Sequence, residues 1–137
     1  MSNNNLLEID LNGSIGIQNY FCTITWRNGT LIMDEPTNIG GQDAGPDPYS
    51  TLLAALAGCT LSTLRMYIDR KGWGISKIVV QLNMTQDTEN GITTTIKRNI
   101  SFQEDIPLEQ KERLLVIAGK CPVSKILENR IVINTNS

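Results

Sequence analysis

The segment PYSTLLAALAGCTLSTLRMYIDRK, residues 48–71, leaves little freedom in how this chain can fold. Asp47-Pro48 is a helix opening: aspartate caps well, and proline suits the first helical position. Leu52, Leu56, Cys59, Thr63 and Met66 recur at three- and four-residue spacing, which predicts one apolar face. Gly72 follows as a natural terminator. A helix over 48–71 has 24 residues, about 36 Å at 1.5 Å per residue. The chain has 137 residues, enough for one domain with one core, so that helix must be central. Ala54-Ala55-Leu56-Ala57-Gly58 carries little side-chain bulk, so another backbone can approach closely there.

The flanking sequence supplies strands and shorter helices. Residues 15–26 read as a strand of mixed pattern. Asn28-Gly29 fits a type I′ hairpin turn, and Thr30 to Met33 returns as the partner strand. Residues 36–48, rich in glycine, proline and aspartate, read as loop. Residues 77–85 and 92–102 alternate as a strand pair, with Ile78, Val80, Leu82 and Met84 on one face. A helix is predicted over 107–118, with Leu108, Leu115 and Ala118 on its apolar side. Cys121-Pro122 opens a short helix over 122–128, and Ile131-Val132-Ile133 reads as a last strand. Strands and helices are segregated rather than alternating, which predicts an α+β fold. No repeat, low-complexity tract or linker interrupts it, so residues 1–137 are expected to form a single domain.

Composition removes several function classes. The net charge of -2 gives no electrostatic reason for a nucleic-acid or membrane partner. No apolar run is expected to approach the ~20 residues that span a bilayer. The start MSNNNLLEID has no basic leader region, so a cytoplasmic location is the default expectation. There is no histidine, which excludes Ser-His-Asp and Cys-His nucleophile systems within the chain. Three cysteines do not make a four-ligand zinc site, and no cofactor is expected. Thiol chemistry must then be activated by a helix N-terminus or an arginine.

Cys121 stands just ahead of Pro122, at the predicted cap of a short helix. Free N–H groups and the helix dipole there favour thiolate over thiol, although a cysteine can also cap a helix without reacting. Cys59 lies within the long helix, where a cysteine is commonly a core residue. Cys22 lies in a strand and reads as inert. Should Cys59 and Cys121 meet, with Cα atoms within about 7 Å, a peroxide can convert one to a sulfenic acid that the other condenses into a disulfide. That chemistry needs neither histidine nor metal.

The stretch DEPTNIGGQDAGPDPYSTLLAALAGCTLSTLRMYIDRKGW resembles the loop and cysteine-bearing helix of the OsmC/Ohr family of thiol-dependent peroxidases. KCPVSKIL resembles that family's second cysteine motif. The resemblance implies an intertwined homodimer, with long central helices packed against β-sheets and an active site at the subunit interface. It implies that Cys59 attacks the peroxide and Cys121 resolves the intermediate. It further implies organic hydroperoxides as substrates and a dithiol as reductant. Family peroxidases usually hold the thiolate with an arginine and the arginine with a glutamate just before the Leu-Leu-Ala-Ala run. Tyr49 and Ser50 stand at that place here, so no carboxylate does. Arg27, the only arginine before Cys59, is the candidate for thiolate stabilisation. Arg98 shares the parity of Ile96 and Ile100, on the apolar side of its strand, and Ser124 stands where family members often have histidine.

Two functions are compatible with these residues. One is a cysteine-based hydroperoxide reductase. The other is a binding protein that holds a small apolar or electrophilic ligand with little turnover. Retention of both cysteines favours the first, and the missing glutamate favours the second.

Overall fold

A computed structural model describes residues 5–137. Residues 1–4, part of the start read as lacking a basic leader, lie outside the described residues. The fold is α+β, and the chain divides into two compact units, Met1–Leu52 and Leu53–Ser137.

The first unit is built on an antiparallel sheet of β1 (Asn12–Ile15), β2 (Cys22–Trp26) and β3 (Gly29–Met33), in that order. The single strand expected over 15–26 is in fact two, with Ile15 paired to Cys22 across a reversal. Gly16, Gln18 and Asn19 favour a turn over a strand, and Ile17 between them points to solvent. The β2–β3 hairpin lies where expected, but its two-residue loop is Arg27-Asn28, since Trp26 pairs with Gly29. Neither Asn28 nor Gly29 adopts the left-handed backbone that a type I′ turn at those positions needs. Glycine at 29 has another use: the Trp26 indole lies over it, and a Cβ would sit 2.5 Å from Cζ2 and force the ring aside.

Asp34 organises the loop after β3. Its carboxylate accepts hydrogen bonds from the N–H groups of Tyr20 (3.0 Å), Glu35 (2.8 Å), Gln42 (3.1 Å) and Ala44 (3.1 Å). The turn is so tight that a Cβ at Gly41 would strike the Glu35 carbonyl oxygen. Asp47 then caps the next helix, accepting the Ser50 N–H at 3.4 Å and the Ser50 hydroxyl.

Helix α1 (Pro48–Lys71) has the bounds expected from the sequence. It ends in a Schellman turn: Gly72 has φ +67°, and the Trp73 N–H reaches the Ile68 carbonyl at 3.2 Å. Its buried residues are Leu56, Thr60, Leu64, Tyr67 and Ile68. Of the face expected, Met66 is 66% exposed and Leu52 43%. The true stripe runs in steps of four through Thr60, a polar residue that apolar spacing overlooks. By length and composition α1 also reaches the range of a membrane span, contrary to the expectation that no run comes near it. Its alanines, glycine and cysteine raise the apolar content without bulk, and Leu64 and Ile68 are wholly buried in the second unit's core.

In the second unit β4 (Ile78–Asp87) and β5 (Thr93–Phe102) form an antiparallel ribbon, from Ile78 opposite Phe102 to Asp87 opposite Thr93. Alternation places Ile78, Val80, Leu82, Ile96, Ile100 and Phe102 on the half-buried face, with Arg98 among them. Helix α2 (Leu108–Ala118) buries Leu114, Ile117 and Ala118, leaving Leu108 and Leu115 exposed. Leu115 and Val116 both lie outside the buried stripe, so the helix is apolar on more than one side and spacing alone picks the wrong face. Helix α3 (Pro122–Leu127) follows, with Cys121 as its N-cap. Leu64, Ile68 and Leu114, all fully buried, form the centre of the core. Residues 131–133 form no strand. A strand needs a neighbour's N–H and C=O groups, and none in the described chain pairs with this segment.

Burial pushes the Asp34 carboxyl up, but four backbone N–H groups outweigh it and hold it below the ordinary carboxylate range. Its stabilisation is therefore complete above the unfolded-state value and is lost as pH falls through the folded one. Asp34→Asn is expected to lower the melting temperature at pH 7 by several degrees. It should also flatten the decline that wild type undergoes below about pH 4. Identical acid slopes in thermal melts of the two proteins would contradict this role.

Candidate active site: a cysteine pair beside a half-buried arginine

The second unit brings Cys59 and Cys121 together. Cys59 lies in α1, one residue before buried Thr60. Cys121 is fully buried and half-buried Cys59 is the more accessible of the two. Both are free thiols, and the two side chains come within 2.9 Å of each other. Pro122 supplies the first helical position of α3, where its missing N–H costs nothing. The next donor, the Val123 N–H, points at the Cys59 sulfur at 3.5 Å. Cys121 itself makes no capping hydrogen bond of full geometry, although the Ser124 N–H and hydroxyl lie close to its sulfur.

The two sulfurs differ in their electrostatics. Burial first, then Cys121 as hydrogen-bond partner and as charge, pushes the Cys59 thiol above its ordinary value. The Val123 N–H and the Thr63 hydroxyl pull it down but do not prevail. Burial also pushes Cys121 up. There, however, Cys59, the Ser124 N–H and hydroxyl and the Val123 N–H together outweigh it and leave the thiol below its ordinary value. The direction is the one expected of a cysteine ahead of Pro122, but the strongest lowering comes from Cys59, and the N–H groups at the helix start add to it. Of the two, Cys121 is the one whose surroundings favour the thiolate.

Arg98 closes the site. Its Nη1 donates to the Thr60 hydroxyl oxygen at 2.9 Å and to that of Ser124 at 2.7 Å. Next to it lies a cavity of about 230 Å³. Leu56, Ile96 and Leu127 supply its apolar lining, and Arg98, Ser124 and Glu128 its polar lining. The parity of Arg98 was visible in the sequence, but its two hydroxyl partners were not. Thr60 was hidden by being polar on a buried stripe, and Ser124 by being an ordinary helix residue. Arg27 belongs to the first unit, exposed in the β2–β3 turn, and makes no hydrogen bond or ion pair among the described residues. Cys22 also belongs to the first unit, where its thiol approaches the Tyr20 carbonyl at 3.5 Å. Among the described residues no group of three His, Cys, Asp or Glu is placed to hold a metal ion.

The family model described as OsmC-like protein matches residues 40–136, which includes both cysteines. No curated protein matches the sequence significantly. Among solved structures, an organic hydroperoxide resistance protein from Elizabethkingia anophelis superposes with a TM-score of 0.69 at 19% identity, covering 90% of this chain and 89% of that one. An OsmC-like protein from Mycoplasma pneumoniae gives a TM-score of 0.68 at 19% identity over 90% and 89% of the two chains. The organic hydroperoxide resistance protein OhrB of Bacillus subtilis gives 0.63 at 20% identity over 89% and 91%. Likeness at such identities shows a common fold.

The coupled pair should titrate in two macroscopic steps that straddle the value of an ordinary thiol. In a Cys22→Ser background, the pH profile of iodoacetamide alkylation is expected to resolve them. Adding Cys59→Ala removes a hydrogen bond that favours the Cys121 thiolate, so the first step should move up. A first step unmoved by Cys59→Ala would contradict the coupling.

Proposed function

The chain is a member of the OsmC-like protein family, and on that premise we propose that it reduces organic hydroperoxides with the Cys59/Cys121 pair. The observation that carries this reading is two free thiols side by side, one favoured as thiolate and the other more accessible. The names of the Elizabethkingia and Bacillus relatives support the substrate class.

The chemistry follows from the polarity of the pair. The Cys121 thiolate takes the proton of Cys59, a role that imidazole fills in other thiol enzymes. Cys59 sulfur then attacks the terminal peroxide oxygen. The O–O bond breaks, Cys59 becomes a sulfenic acid, and the alkoxide leaves with the proton now on Cys121. The Val123 N–H, directed at Cys59 sulfur, stabilises negative charge there during attack. The Cys121 thiolate next displaces hydroxide from the sulfenic acid and forms the disulfide. One hydroperoxide and two thiols give one alcohol, one water and one disulfide. A dithiol reductant restores the thiols by exchange, and a reducing, cytoplasmic compartment suits that cycle. Arg27 is assigned no step, because nothing in its own surroundings supports the role that the resemblance suggests.

The same proposal includes a homodimer. Leu52 and Met66 leave apolar surface exposed on α1, and Ala54, Ala55 and Gly58 are exposed beside them. Nothing lies within 4 Å of where a Gly58 Cβ would be, so a second backbone has room to approach. Sedimentation should give the mass of two chains, and Ala54→Arg should release monomers. A wild-type monomer at micromolar concentration would contradict it.

One observation favours the ligand-binding alternative. The Asp47 carboxylate is engaged by Ser50 and is not free to take the place of the missing glutamate. Thiol titration after one equivalent of cumene hydroperoxide separates the two readings. The enzyme reading expects rapid loss of two thiols per chain, abolished by Cys59→Ser. In Cys121→Ser, Cys59 should proceed to the sulfinic acid, detectable by mass spectrometry. Loss no faster than that of a small-molecule thiol would overturn the enzyme reading.

A further inference from the structure

We propose that Arg98 is the positioning residue of the cysteine pair: one guanidinium nitrogen, bonded to both Thr60 and Ser124, holds the Cys59 helix and the Cys121 turn in the register that keeps the two sulfurs adjacent. The inference rests on the redox reading above, and its test is built to fail separately from it.

Three observations carry it. The partners are buried hydroxyls, not water: Thr60 is 0% exposed and Ser124 3%. An arginine merely escaping to solvent from an apolar strand face would not make two such bonds at 2.9 and 2.7 Å. Second, the orientation of each hydroxyl is determined. The Thr60 proton goes to the Leu56 carbonyl at 2.8 Å, so its free lone pairs face Arg98. The Ser124 oxygen likewise accepts from Arg98, which turns its proton away from the guanidinium and leaves it free for the Cys121 sulfur close by. A hydroxyl that accepts from a cation is a stronger donor in turn. Third, the Arg98 charge has no carboxylate within ion-pair distance; among the described residues the ion pair formed is Arg65 with Asp69. The groups that can carry negative charge around it are Cys59 and Cys121, each beside one of its bonded hydroxyls, and the Glu128 carboxylate, which shares the cavity lining with Arg98 but forms no ion pair with it.

Position in the chain explains why one residue is tied to both cysteine-bearing segments. Thr60 is the residue after Cys59, and Ser124 occupies the third helical position of the helix that Cys121 caps. Arg98 stands opposite Leu82 in the ribbon, on the face shared with Ile96 and Ile100. A lysine at this position keeps the charge but loses the planar fork that directs donors at fixed angles.

The test compares wild type with Arg98→Met, Arg98→Lys, Thr60→Val and Ser124→Ala, all in a Cys22→Ser background. Two quantities are read: the pH profile of alkylation, and the rate of disulfide closure with diamide. Diamide accepts two electrons and two protons at its N=N bond as the thiols join, so closure is measured whether or not the protein reduces peroxides. Arg98→Met is expected to raise the first ionisation and to slow closure by about tenfold or more. Arg98→Lys should recover the ionisation but not the full closure rate. Ser124→Ala should raise the ionisation, and Thr60→Val should slow closure with a near-normal pH profile. These last two are small changes and keep the proposal testable if Arg98→Met does not fold. Wild-type ionisation and closure in folded Arg98→Met, or in both hydroxyl variants, would overturn it. Rapid diamide closure with no reaction toward cumene hydroperoxide would sink the peroxidase reading and leave the Arg98 role standing.

Discussion

The contact between the first turn of α3 and the middle of α1 determines what this chain can do. Pro122 starts the turn at a position where its missing donor is harmless. The donors that follow, on Val123 and Ser124, then face sulfur rather than solvent. Cys121 is wholly buried there, and Cys59 meets it from a helix with both ends firmly terminated. A buried thiolate without compensation is strongly disfavoured. Here it is offset by another thiol, two backbone amides and a hydroxyl, with no imidazole and no metal needed. The two sulfurs therefore differ: the buried one has the surroundings that favour charge, and the other is the more reachable.

That contact depends on a core several residues away. Leu64 and Ile68 continue the Thr60 stripe one and two turns further along α1 and pack with Leu114 and Ile117 of α2. Helix α2 ends one short turn before Cys121, so its packing against α1 sets where the second thiol falls. Tyr67 adds a polar tie, accepting the Arg113 Nε–H at 3.0 Å and meeting Trp73 edge-on. Truncating Leu64 to alanine would cost about 2–5 kcal/mol by the usual rule for buried leucine. It would loosen the element that carries Cys59 as well as the core.

Much of this organisation was legible in the residues. Asp47-Pro48 and Gly72 mark both ends of α1 with local chemistry, and strict alternation gives the face of β4 and β5. Cys121-Pro122 marks the start of α3, whose N–H groups supply part of the lowering of the Cys121 thiol; the larger part comes from Cys59. Helix faces were less legible. Thr60 is buried for its hydrogen bonds and not for its hydrophobicity, and α2 is apolar on more than one side. The strand expected at 131–133 needs a partner that local sequence does not specify. Asp34 is indistinguishable in sequence from any loop aspartate, because its cage exists only once four donors are in place. The sequence shows only the parity of Arg98, since which hydroxyls it reaches depends on how three elements pack.

The most direct measurement of the central claim is a peptide map, run without reductant, of protein oxidised by a stoichiometric organic hydroperoxide. The account expects one new crosslink, joining the peptide that contains Cys59 to the peptide that contains Cys121 within a single chain. A link through Cys22, a link between chains, or independent oxidation of the two sulfurs to sulfinic acids would contradict it.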